Sequence, residues 1–108
     1  MSTPLYDRYY YAKILQRMRG NGMEEMEKLR KALDDRGIEW VDDSNEKVTR
    51  TKWSRGNTIY SVIYGVISYG YDEGLLELGK CTIPMSSPMD IDVLGWCTAE
   101  DVLRLAKL

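Results

Sequence analysis

From Gly37 onward, turn-forming residues interrupt this chain so often that no long element can form. Gly37, Asp42-Asp43-Ser44-Asn45, Ser54-Arg55-Gly56-Asn57, Gly70 to Gly74 and Gly79 punctuate it. The intervals between them hold at most twelve residues. Parallel strands need crossovers of about a dozen residues or more, whereas antiparallel neighbours need only a tight turn. The spacing therefore predicts short strands joined by short turns in an antiparallel sheet. Strand chemistry fills the intervals. Residues 38–41 are short and alternating, and 47–53 alternate Val48, Arg50 and Lys52 as a half-exposed strand. Residues 58–68 are β-branched and aromatic and read as the central strand. Gly65 within them points to a bulge or a close backbone approach. Residues 75–78 form a fourth short strand. Residues 79–92, with Pro84, Ser86, Ser87 and Pro88, read as an irregular loop, and residues 93–96 as a lead-in to the last helix.

Helical signals lie at the two ends. In residues 23–36, Met26, Leu29 and Leu33 recur at helical spacing, opposite Glu24, Glu25, Lys28, Lys31 and Asp35. Gly37 is placed to end that helix in the left-handed conformation. Residues 99–107 bring Val102, Leu103 and Ala106 to one face. Thr98 can cap that helix, with Glu100 and Asp101 in its first turn. Residues 4–19 follow Ser2 and Thr3 and carry Tyr6, Tyr10, Ile14 and Met18 on one stripe. Gly20-Asn21-Gly22 breaks that helix. The expected order is α-α-β-β-β-β-α, an α+β domain with its helices mainly on one face of a small antiparallel sheet. A basic, Tyr-rich N-terminal helix (1–22) stands as an appendage to a single compact domain (23–108).

Composition removes several functions. With 0 His among 108 residues, neither a Ser-His-Asp triad nor a Cys-His dyad can be built. Cys81 and Cys97 supply only two soft ligands, too few for a structural zinc site. Without a signal peptide they read as free thiols of a cytoplasmic protein. No Walker sequence or GxGxxG is present. No apolar run approaches the roughly 20 residues of a membrane span. Asp42, Asp43, Asp90 and Asp92 could hold Mg²⁺ weakly, as in a small hydrolase, but solvated turn acids explain them more simply. Cys97, just before a helix, invites a reactive-thiol reading, against the simpler one of a small buried hydrophobe. No cofactor, metal or catalytic residue is expected.

The chain carries a net charge of −2, unevenly spread. Residues 1–22 carry +3 and four tyrosines, and residues 47–55 carry +4 beside Trp53. Basic groups interleaved with aromatics suit an acidic protein surface or single-stranded nucleic acid. A solvated strand face accounts for the second stretch equally well. The contact residues expected are Tyr6, Arg8, Tyr9, Arg17, Arg50, Lys52 and Trp53. Eleven Tyr and Trp with six Met could also cover a homodimer interface.

Four stretches carry a resemblance: Gly37-Ile38-Glu39-Trp40, Tyr60-Ser61-Val62-Ile63-Tyr64-Gly65, Gly74-Leu75-Leu76-Glu77-Leu78, and Gly95-Trp96-Cys97-Thr98-Ala99-Glu100-Asp101-Val102-Leu103. Over residues 23–108 the chain resembles small accessory proteins of bacteriophages and prophages. In those, a charged helix precedes a small sheet and a GW-x-TAEDVL-like helix closes the chain. The resemblance implies a phage origin and a non-catalytic role, and names no target. The expectation is a binding protein that docks on a host protein or ribonucleoprotein. It would act as an inhibitor of a nucleic-acid-directed bacterial defence system, in the manner of an anti-CRISPR. The alternatives are a nucleic-acid-binding accessory module using the same residues and, last, the Mg²⁺ hydrolase.

Overall fold

A computed structural model describes residues 23–84 and 91–108. Helix α1 spans Met23–Asp35 and helix α2 spans Ala99–Leu105. Between them run β1 (Val41–Asp42), β2 (Val48–Arg55), β3 (Thr58–Gly65), β4 (Leu76–Thr82) and β5 (Ile91–Cys97). Every pairing is antiparallel, and the strands lie side by side in chain order. The domain is therefore α+β with a meander sheet. The helix expected over 4–19, and the boundary expected at residue 22, fall outside the described residues.

The helix ends behave as their residues dictate. Gly37 has φ +69° and donates to Asp34 O at 3.0 Å, while Ile38 N donates to Leu33 O at 2.9 Å. This pair of bonds satisfies the last carbonyls of α1 and turns Ile38 back toward the core. At α2, Thr98 Oγ1 accepts from Asp101 N at 3.1 Å, and the Asp101 carboxylate accepts from Thr98 N at 3.0 Å. The reciprocal cap is complete, with Asp101 as the acid.

Strand pairing fixes which residues share a face. Thr51 pairs with Val62 and Val62 with Leu78, while Trp53 pairs with Tyr60. These residues form one face, together with Tyr64 and Leu76. Met26, Leu29 and Leu33 of α1 and Val102 and Ala106 join the same buried cluster. Each fully buried Leu or Val there contributes about 1.5–3 kcal/mol. Thr51 is the polar member. Its Oγ1 accepts from Arg30 Nε at 2.7 Å and donates to Met26 Sδ at 3.2 Å. The alternate residues of β2 and β3, Arg50, Lys52, Ser61 and Ile63, occupy the opposite face and are half-buried.

Several expected boundaries move. The sheet has five strands rather than four, because residues 91–97 pair with β4 where a loop and lead-in were expected. Their apolar residues are exposed along an edge, so no burial alternation marked them as a strand. β1 starts at Val41 rather than residue 38. Trp40 Nε1 donates to Asp34 at 2.8 Å and the Arg30 guanidinium lies 4.8 Å over its ring, which holds this stretch against α1. β3 stops at Gly65, where the Ser68 hydroxyl accepts from Gly65 N and donates to Gly65 O.

Candidate functional site: an exposed aromatic platform

Two segments meet at the end of the sheet where β3 turns into β4. In β5, Leu94 pairs with Leu78 and Cys97 with Leu76. Gly95 and Trp96 therefore stand opposite Glu77 alone, which is a β-bulge. Bulges redirect the side chains they carry. Trp96 takes φ +56°, a conformation that costs a bulky L-residue about 1–2 kcal/mol. Trp96 is 56% exposed.

The connection from β3 to β4 supplies the other half. Tyr69 N donates to Glu77 Oε1 at 3.0 Å, and Trp96 N donates to Tyr69 O at 3.4 Å. These bonds place the Tyr69 ring parallel to Trp96, with centroids 5.5 Å apart and planes inclined by 21°. Two glycines make the approach possible. A Cβ on Gly95 would collide with the Tyr69 side chain. Gly70, at φ +98°, lies so close that its Cβ would meet Trp96 Cα at 3.1 Å. Beneath the pair, Tyr64 packs on Tyr71 and donates to Tyr71 O at 3.2 Å.

The result is a fixed, solvent-facing aromatic stack. Val66 and Ile67, each 75% exposed, lie in the same connection. A recess of about 210 Å³ opens beside the stack, walled by Tyr69, Trp96, Asp72 and Glu73. Exposed aromatic rings held in a defined geometry are the surface chemistry of docking, since they offer burial at little ordering cost.

The residues expected to make contacts fare differently. Tyr6, Arg8, Tyr9 and Arg17 lie outside the described residues. Arg50 and Lys52 do share a face, but Asp43 engages both, at 3.4 and 3.7 Å, so part of their charge is answered within the chain. Trp53 is corrected as a surface anchor. Strand alternation puts it on the face opposite Arg50 and Lys52, where it is 4% exposed and stacks on Tyr60 at 5.2 Å. Its indole N–H is buried without a partner among the described residues, as is Arg50 Nε. The basic strand and its aromatic are thus on different faces.

Of the acids proposed for Mg²⁺, Asp42 and Asp43 are engaged in ion pairs. Asp42 caps Ser44 and faces Arg30 at 3.4 Å. The Ser44 hydrogen bonds, more than Arg30, hold its carboxyl below the usual aspartate range. Asp92 pairs across the sheet with Lys80, and Asp90 is not described. Among the described residues no three His, Cys, Asp or Glu side chains converge as a metal site. Cys97 is buried, its thiol 3.5 Å from both Leu94 O and Gly95 O. Burial first, and then Asp101, push its ionisation upward, which fits the small buried hydrophobe rather than the reactive thiol.

In sequence, Gly70 to Gly74 has the chemistry of a plain turn, and Trp96 belongs to the lead-in to the last helix. The available signal was a large aromatic beside a glycine, twice: Tyr69-Gly70 and Gly95-Trp96. Compared with known proteins, the chain matches no family model, no curated protein and no solved structure. Among the described residues no helix is long and apolar enough to cross a membrane.

Proposed function

We propose that this chain is a non-catalytic binding protein that docks on a partner protein through the Tyr69–Trp96 platform. The exposure of this stack, despite the backbone cost at Trp96, carries the reading. Strain of this kind persists where the surroundings enforce it, and it concentrates at functional positions. Large rigid aromatics are also the commonest anchors of protein interfaces. The reading keeps the helices mainly on one sheet face, an arrangement supported by the shared core of α1 and α2. The phage origin enters the proposal through the family resemblance, and the cytoplasmic site of action and the defence-inhibitor role enter it as expectations from the sequence.

The nucleic-acid reading loses support, because Asp43 answers Arg50 and Lys52 and because Trp53 is buried. The test is a pull-down from bacterial lysate, with and without nuclease, using the wild type, Trp96→Ala, and the pair Arg50→Glu/Lys52→Glu. A protein that survives nuclease, is lost with Trp96→Ala and is retained by the charge-reversed pair supports the proposal. An unchanged set of bound species with Trp96→Ala overturns it. Recovery of nucleic acid that disappears at high salt would transfer the function to the basic surface.

A further inference from the structure

We infer that the recess beside Trp96 receives an arginine side chain from a basic segment of the partner protein. The inference rests on the docking function proposed above and specifies what the platform recognises.

Three observations combine. The recess, at about 210 Å³, has room for one long side chain rather than for a helix. Its lining combines aromatic with acidic residues, Tyr69, Tyr71 and Trp96 with Asp72 and Glu73, and no Lys or Arg is among the described lining residues. Aromatic faces carry negative quadrupole density and attract cations. A guanidinium is planar, weakly hydrated and stacks on such rings better than an ammonium does. The same molecule already contains one such pair, Arg30 lying 4.8 Å over Trp40. A phosphate backbone would be repelled by Asp72 and Glu73. A purely apolar side chain would cover the rings and leave both carboxylates without a counterion. Val66 and Ile67, in the same connection, provide apolar contact for residues flanking the arginine.

The test uses the full-length ¹⁵N-labelled protein and two synthetic peptides. One is acetyl-Ser-Leu-Arg-Leu-Ser-amide. The other replaces arginine with citrulline, which keeps the shape and planarity and loses the charge. The readout is the indole N–H resonance of Trp96, assigned by its disappearance in Trp96→Tyr. Expected is a saturable shift with the arginine peptide, at least about tenfold tighter than with citrulline and weakened about tenfold by Asp72→Asn/Glu73→Gln. Equal affinity for the two peptides overturns the arginine assignment and leaves the docking platform standing. No shift from either peptide up to about 10 mM, whether Arg8, Arg17 and Arg19 are present or replaced by Gln, also overturns it. In that case the lysate experiment with Trp96→Ala decides separately whether the platform docks at all. Binding that appears only after Arg8, Arg17 and Arg19 are replaced by Gln would identify the chain's own first segment as the occupant. That outcome overturns the partner assignment.

Discussion

The Glu25 carboxylate accepts the backbone N–H of Ala99 at 2.8 Å, joining the first turn of α1 to the first residue of α2 across 74 positions of sequence. Glu25 is 5% exposed, and its second oxygen is held by Lys28 at 3.2 Å. A helix leaves its first N–H groups unsatisfied, and here another element's side chain supplies the acceptor. Removing the carboxylate strands a buried donor. Glu25→Ala is expected to cost about 2–3 kcal/mol, and Glu25→Gln less, because the amide oxygen still accepts. Urea unfolding of the two variants checks this order; equal losses would show that the hydrogen bond is not the source.

Trp96 gives a test of backbone strain. At φ +56° alanine keeps the conformational penalty and loses the stack on Tyr69, whereas glycine loses the stack and relieves the penalty. The stack is worth about 0.5–1.5 kcal/mol, and the relief about 1–2 kcal/mol. Trp96→Gly is therefore expected to be more stable than Trp96→Ala and close to the wild type, the reverse of the usual ranking inside a strand. Denaturant midpoints of the three proteins decide it.

The two cysteines should separate kinetically. Cys81 is half-buried, and Cys97 is buried with its ionisation pushed upward. A thiolate-selective reagent such as dithiobisnitrobenzoate should give one fast and one slow phase at neutral pH. Cys81→Ser should remove the fast one. A single phase of two equivalents would contradict the burial of Cys97.

Asp101 links the last helix to pH. The Thr98 backbone bond, opposed by slight burial and aided by Arg104, holds its carboxyl below the ordinary value. A carboxyl depressed in the fold contributes stability that is fully present above its unfolded pKa of about 3.9. That contribution is lost as pH falls through the lower, folded value. Asp101→Ala should therefore be less stable than the wild type at pH 7, and the gap should close as pH falls through the lowered, folded value. Thr98→Ala, which removes the other half of the cap, should cost about 1 kcal/mol.

The α+β class, the helix over 23–35 and its glycine stop, the Thr98 cap and the antiparallel order were all legible in the sequence. Each rests on local chemistry: helical spacing, a positive-φ glycine, turn clusters too close together for crossovers. What escaped depends on pairing between distant segments. β5 was unreadable because an edge strand can expose Ile91, Val93 and Trp96 without an alternating pattern. Trp53 was misplaced because its neighbours' charges said nothing about which face the register assigns to it. The platform needs a bulge, and a bulge is defined only by the two-against-one count opposite Glu77.

The two margins of the sheet are not equivalent. On one side, β1 is two residues long, its Asp42 is engaged by Arg30, and Asp43 just after it is engaged by Arg50 and Lys52. On the other, β5 runs seven residues with Ile91, Val93 and Leu94 exposed, and no described residue lies beyond it. Endless stacking of sheets needs two open margins on every molecule, and this one offers a single long one. Self-association along that margin would stop at a pair, so crowding or overexpression should yield closed dimers rather than fibres.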